Sequence, residues 1–494
     1  MMMYRIFPAI GIARIGGNHD FFLGPEIPGQ GPIELDGSPA RRFKNSDGTL
    51  IRKQGARFRV FQSADDGATW APLAPGATVE WSVTLHNKKA SIIRELEPPT
   101  KPERPRIDPA LVSMHIQAPT AKVSGVNAAG APMTGTFTTK DAGGAPYNAT
   151  VKLGSLRTDG AGNLIVLGGD GISDAPPGTP IGTGNGTSYF KSPNWYDDVA
   201  DGPVSAVVNP GPGEAPVTAD GGAWVIVAPP DYAPAIGGVV TLYDVILQVG
   251  VDHFGISVPA IPSFDREIMP MIRRVRRHRW VNDAAIWSNP ALDAADSDLR
   301  SKDVAMKALK IKVCQRIRES EEQLEGHTDP DGPPFLLRQH QQDTLDAWLA
   351  GTFDDAPSSF GSEPTPANLT RAALEGAVGQ GFCPGIEAGI LVLDQSIYRK
   401  PFDFRIDHAG VEPGDMTALM AQPWQADFLK CNTEWWPSQR PDVAPQSGDF
   451  TDNEEWSRGI GSSHRKLAKE FQRLGFVVQT GPESFIEAER DKTF

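Results

Sequence analysis

Cysteine is scarce in this chain: three in 494 residues, at Cys314, Cys383 and Cys431. An odd number leaves at least one thiol outside any disulfide, so a disulfide scaffold is excluded. No C-x-x-C pair and no H-E-x-x-H occurs, which removes the usual sequence support for a zinc site. There is no G-x-S-x-G and no Walker glycine loop. No apolar run approaches the roughly 20 residues of a membrane-spanning helix. The opening "MMMYRIFPAIGIARIGG" lacks the uninterrupted apolar core and cleavage site of a secretion signal. The expected location is therefore cytoplasmic or non-classically exported, with no membrane partner. Positive charge is also short, the formal net charge being −14, and that argues against nucleic acid as a partner. The one basic cluster, "IRRVRRHRW" (272–280), reads as a helix face paired with acidic neighbours.

Glycine, proline, threonine and valine are plentiful up to about residue 260. Short apolar runs alternate with period two, as in Val79, Trp81, Val83 and Leu85, and are parted by Asp-Gly turns. The pattern predicts strands over 56–62, 79–87, 163–169 and 223–230, and a long surface loop over 168–190. Composition shifts near 265. Helices are expected over 263–286, 299–327 and 336–353, the last ended by Gly351, and over 368–381, with a late helix and then a strand over 467–479. The expected fold class is α+β. A β-rich, β-sandwich-like domain over 1–262 is followed by a mainly helical domain over 263–494. The second carries a glycine-rich cysteine loop (379–390, "GFCPGIEAG") and a tryptophan-rich segment (422–442).

The motifs taken together resemble a known family. They run in order from "FPAIGIARIGG", "FFLGPE", "QGARFRVF" and "HNKKA" through "LGSLRTDGAGNLIVLGGDG", "NWYDDVADGPVSA" and "AWVIVAPPDYAP". They continue with "GFCPGIEAG", "EPGDMTALMAQPWQADF" and "WWPSQRPD". This series is similar to the quinoprotein amino-acid oxidases that carry cysteine tryptophylquinone, the L-lysine ε-oxidase and glycine oxidase type. In that family a cysteine sulfur is bonded to the indole of a tryptophan in the same chain, and the indole carries two added oxygens as an o-quinone. Carried over by motif, the pair is Cys383 and Trp424, with Trp435 and Trp436 as fallbacks for the tryptophan.

The resemblance implies oxidative deamination of a small primary amine or amino acid, with oxygen as co-substrate and ammonia and hydrogen peroxide as products. It also implies maturation by a flavin-dependent partner enzyme, and a homo-oligomer is expected. Family members have an aspartate four residues before the cysteine, and this chain has Gly379 there. Asp427, Glu387 and His408 are the candidates to supply the missing acid–base group. Each has a plainer reading: Asp427 as a turn cap or partner of Lys430, Glu387 as a brace for the glycine loop, His408 as a loop residue. Asp197, Asp198 and Asp201 in "NWYDDVADGPV" either line a pocket mouth or, as the preferred reading, build tight turns. Two alternatives stay open. One is a homologue acting on a peptide or in another oxidative step, or a non-catalytic member with no completed quinone. The other, ranked last, is a glycan-binding or hydrolytic β-sandwich.

Overall fold

The computed structural model describes residues 2–93, 101–182, 191–284, 287, 289–324, 337–379, 388–430 and 438–493. Cys383, Glu387, Cys431, Trp435 and Trp436 lie outside these residues, as does the side chain of Asp427.

Nine strands form the main path of one large sheet. They are β1 (Ile10–Arg14), β2 (Lys53–Ser63), β3 (Thr78–Val83), β4 (Ala121–Ser124), β5 (Ala129–Lys140), β6 (Pro146–Thr158), β7 (Leu164–Gly168), β8 (Ala200–Asn209) and β9 (Ala223–Ala228). Their spatial order is β5-β6-β7-β2-β1-β9-β8-β3-β4. All neighbours are antiparallel except β1 and β9, which run parallel with Trp224 opposite Ile10 and Ala228 opposite Arg14. The path curls until its ends meet, Gly130 of β5 lying against the Lys122 carbonyl of β4. The result is a nearly closed barrel, not the two facing sheets of a sandwich. Residue alternation shows which face of a strand is apolar. It carries no information on which strand comes next, so closure is invisible in it.

The expectation of a mainly helical second half is also overturned, since helix accounts for only 24% of the structure. Helices do occupy the middle: α1 (Leu242–Phe254), α2 (Met269–Arg277), α3 (Lys307–Leu324), α4 (Gln339–Ala350) and α5 (Pro366–Glu375). Beyond Glu375, among the described residues, only α6 (Trp424–Lys430) and α7 (His464–Glu470) are α-helical, with two small hairpins at 443–455 and 476–488. The remainder is irregular chain stapled by buried side chains. Arg405, for example, is 1% exposed and donates to the carbonyls of Ile6 and Gly222.

Two apolar clusters share the β1–β9 pair. Ala223, Val225 and Val227 face the barrel cluster, which also holds Trp81, Trp424, Phe428 and Phe471. Trp224, Ile226 and Ala228 face the other cluster, built with α1, α2 and α4. Strand β9 is thus buried on both faces, as a strand with packed layers on either side must be. Strands give way to helices between Ala228 and Leu242, and both clusters draw residues from either side of that stretch. Helix α4 ends as its sequence implies, with Gly351 in the left-handed region at φ 76°. No helix among the described residues is long and apolar enough to cross a membrane.

Candidate active site

Trp424 opens α6 and is 1% exposed. Its indole meets Phe428 edge-on at 4.7 Å and Phe471 at 5.1 Å. Tyr232 closes the cage, packing on Phe428 and donating its hydroxyl to the Phe471 carbonyl at 3.0 Å.

The main chain around Trp424 is pinned by residues far away in sequence. Asp197, 0% exposed, accepts the Trp424 amide at 2.9 Å. The same carboxylate receives Lys89 Nζ at 2.5 Å and Asn87 Nδ2 at 3.0 Å. Lys89 also donates to the Ala421 carbonyl at 2.7 Å. One ion pair thus grips the chain on both sides of Pro423. Gln422 Nε2 reaches the Trp195 carbonyl, and Ser173 Oγ donates to Gln425 Oε1 at 2.9 Å. Three polar atoms on this segment have no hydrogen-bond partner among the described residues: Gln422 Oε1, Trp424 Nε1 and Gln425 Nε2. Buried polar atoms are normally satisfied. A group of orphans around one indole fits a site that holds more than an unmodified tryptophan.

The three aspartates of "NWYDDVADGPV" serve mainly distant partners, although Asp197 also makes the local bond of a turn, accepting the Val199 amide at 3.3 Å. Asp197 holds Trp424, as above. Asp198 accepts the amides of Gly171 and Ile172 at 2.7 and 3.1 Å, and its Oδ1 has no partner among the described residues. Asp201 accepts the amides of Gly414, Met416 and Thr417, the Thr417 hydroxyl and the indole N–H of Trp224. Burial pushes Asp198 up to about 7 and Asp201 up to about 6, against partners that pull them down.

Asp198 sets the first prediction. Its carboxyl holds the proton more tightly folded than unfolded, where an aspartate titrates near 3.9. Its contribution to stability is therefore present below about pH 4 and is lost as pH rises towards 7. Asp198→Asn is expected to gain stability relative to the parent across that window and to gain nothing further above it. Denaturant midpoints at pH 4, 5.5 and 7.5 check this, and parallel pH curves for the two proteins would refute it.

His408 is placed away from Trp424. It donates its Nε2–H to the Ala223 carbonyl, 3.0 Å away, and lies edge-on to Trp224 at 5.4 Å, on the helical side of β9. Burial lowers its affinity for a proton. Asp427 falls three positions along α6 from Trp424. Cys383 and Glu387 lie outside the described residues.

Gly379 is a packing requirement. Its amide donates to the Val240 carbonyl at 3.0 Å. A Cβ there would run into the Thr241 carbonyl and sit 2.7 Å from Val245 Cγ2. Thr241 is the capping residue of α1, bonded reciprocally with Asp244. Gly379→Asp should therefore lower stability by about 1–3 kcal/mol, the usual cost of overpacking. A melt unchanged from the parent would show that the backbone yields freely.

Lys89 and Asn87 are the residues around Trp424 to which sequence reasoning gave no role, and Asp197 was read as a turn or pocket-mouth residue without its partners. The available signal was a pair of lysines set between apolar residues, in "LHNKKASII", where a buried cation must find an anion. The basic cluster behaved as expected. Arg274 pairs with Asp244, Arg276 with Asp296, Arg277 with Glu483 and Arg279 with Asp293. Cys314 is a free, buried thiol pushed up to about 12 by burial. No cluster of metal-ligating side chains occurs among the described residues.

Comparison with known proteins adds a second kind of finding. The family model described as L-lysine epsilon oxidase N-terminal matches residues 7–227. The model described as L-lysine epsilon oxidase C-terminal domain matches residues 333–456. L-lysine 6-oxidase of Marinomonas mediterranea is 26% identical over 547 aligned positions, covering 90% of this chain and 73% of that protein. The crystal structure of L-Lys epsilon-oxidase from the same organism superposes with a TM-score of 0.77 at 22% identity, over 99% of this chain and 94% of that one. The crystal structure of its Schiff base intermediate with L-Lys gives 0.77 at 23% identity, over 99% and 95%. At such identities the solved structures establish the fold alone.

Proposed function

The chain belongs to the L-lysine ε-oxidase family, and from that premise we propose that it oxidises the CH–NH2 group of an amino acid with oxygen as acceptor. We propose further that the electron sink is a cysteine tryptophylquinone made from Cys383 and Trp424, and that ammonia and hydrogen peroxide are released. The observation that carries this reading is the enclosure of Trp424 in a cage of rings, its Nε1 and one atom each of Gln422 and Gln425, Oε1 and Nε2, having no partner among the described residues. When formed, such a quinone supplies an electrophilic carbonyl and a two-electron sink.

The chain's own residues do the rest. Phe428, Phe471 and Tyr232 keep water from the indole, which strengthens every electrostatic interaction inside. The Lys89–Asp197 pair fixes the backbone on which the indole is carried, so a reacting amine meets a constant geometry. Asp427 is the carboxylate we put forward for the proton that the position of Gly379 cannot serve. It is carried by the same helix as Trp424, one turn along. Glu387 is the second choice. His408 lies against Trp224, across β9 from the Trp424 cage.

Adding two oxygens to an indole is beyond ordinary side chains, so a flavin-dependent maturation enzyme is part of the proposal. The chain produced alone should be unmodified, and the chain produced with that enzyme should carry a joined Cys383–Trp424 peptide on mass mapping. It should then release peroxide with free amino acids. Separate, unmodified peptides in protein from the native host would overturn the assignment. That result would favour the non-catalytic alternative, which the tight packing at Gly379 makes a real competitor.

A further inference from the structure

A basic cavity stands out in a chain whose formal net charge is −14. It measures about 730 Å³ and lies between residues 19–21, the stretch 34–46, Arg52 and Arg157 of β6. The cations Arg41, Arg42, Lys44, Arg52 and Arg157 border it, and the carboxylates on its wall are Asp20 and Glu34.

The frame is fixed by backbone bonds. The Arg52 amide donates to the Phe43 carbonyl at 2.8 Å, and the Lys53 amide donates to the Asp20 carbonyl at 2.9 Å. The Arg52 guanidinium donates to the carbonyls of Phe21 and Arg42, each at 2.7 Å, and so joins the edges of the cavity. It also holds both oxygens of Glu34, at 2.9 and 2.7 Å. Arg52 and Glu34 thus neutralise each other.

The remaining cations are left over. Arg41, Arg42 and Arg157 are exposed and form no ion pair among the described residues. Arg42 donates to the Asn45 carbonyl at 3.3 Å, and Arg157 lies over the Phe21 ring at 5.8 Å. Lys44 is 1% exposed, and its Nζ has no hydrogen-bond partner among the described residues. Burial pulls this ammonium down to about 8, against the attraction of Glu489, Asp491 and Glu487. A buried polar atom is normally satisfied, and one that is not marks a place for a missing partner. Asp20, which takes an amide hydrogen of Asn18 at 3.3 Å, is the single carboxylate on the wall left to offset four cations.

We propose that this cavity binds a small multivalent oxyanion, a phosphoanhydride or a polycarboxylate, gripped by Arg41, Arg42 and Arg157 with Lys44 adding charge from the wall. Guanidinium forks match the oxygens of phosphate and carboxylate alike, and a cleft lined by one sign of charge concentrates counter-ions. The site goes beyond the oxidase reading and stands whether or not Trp424 is ever oxygenated.

The test is a calorimetric titration of the full chain with tripolyphosphate, citrate and acetate at low salt. Tripolyphosphate or citrate should bind at one site per chain, about tenfold or more tightly than acetate, because each arginine adds charge-assisted hydrogen bonds. The tighter of the two assigns the ligand to phosphates or to carboxylates. Arg41→Gln combined with Arg157→Gln should lose about tenfold or more of that affinity while melting like the parent, since both side chains are exposed. Lys44→Met should weaken binding as well. Raising salt from about 0.01 M to about 1 M should weaken it in the parent. No heat with either multivalent anion, acetate bound as tightly, binding indifferent to salt, or full affinity in both variants overturns the proposal.

Discussion

Lys89→Met should cost this protein about 3–5 kcal/mol, the effect of removing one partner from a buried ion pair. Lys89 and Asp197 are 2% and 0% exposed in their side chains and 2.5 Å apart. Methionine fills much of the volume but leaves the Asp197 carboxylate in a dry interior with, among the described residues, hydrogen bonds from Asn87 Nδ2 and the amides of Val199 and Trp424 alone. It also frees the Ala421 carbonyl that Lys89 holds. The loss should appear as a fall in the denaturant midpoint at neutral pH. Lys89→Met with Asp197→Leu should recover part of it, because no charge is then stranded. Lys122→Met is the control, since its pair with Glu80 has side chains 64% and 51% exposed and should move stability by less than about 1 kcal/mol. Equal effects for the two lysines would remove Asp197 from its assigned place as the anchor of Trp424.

Trp424→Phe should abolish peroxide release and remove the added oxygens from the mature protein's mass, while the fold survives. The smaller ring keeps edge contacts with Phe428 and Phe471. Since Nε1 has no partner among the described residues, no hydrogen bond among them is broken. What is lost is the only part of the side chain that can become a quinone. Trp435→Phe and Trp436→Phe should mature and turn over. If one of them is silent while Trp424→Phe is active, the cofactor assignment passes to that tryptophan.

Local pattern told a good deal of this fold. Alternation at Val79, Trp81 and Val83 marked β3, and Gly351 marked the end of α4, because both signals depend only on neighbours in sequence. Trp424 was singled out through its motif. The pair that anchors it was not, because Lys89 and Asp197 are 108 residues apart and nothing near either one names the other. Asp201 shows the same limit. Its aspartate side chain suggested a local turn bond, whereas its carboxylate binds Thr417, 216 residues on. The irregular C-terminal chain relies on such distant staples, and so its lack of helix could not be read from periodicity. Barrel closure escaped for a related reason, since it depends on strand order.

The double burial of β9 has a mechanical consequence. A strand that is wall to two apolar clusters makes each the other's support: opening the helical side exposes Trp224 and Ile226, and opening the barrel exposes Val225 and Val227. Neither can melt while the other stays dry, so hydrogen exchange through β1 and β9 should follow global unfolding, with no lower-energy partial opening. Limited proteolysis should accordingly release no stable fragment ending near residue 262, and a thermal scan should show a single cooperative transition.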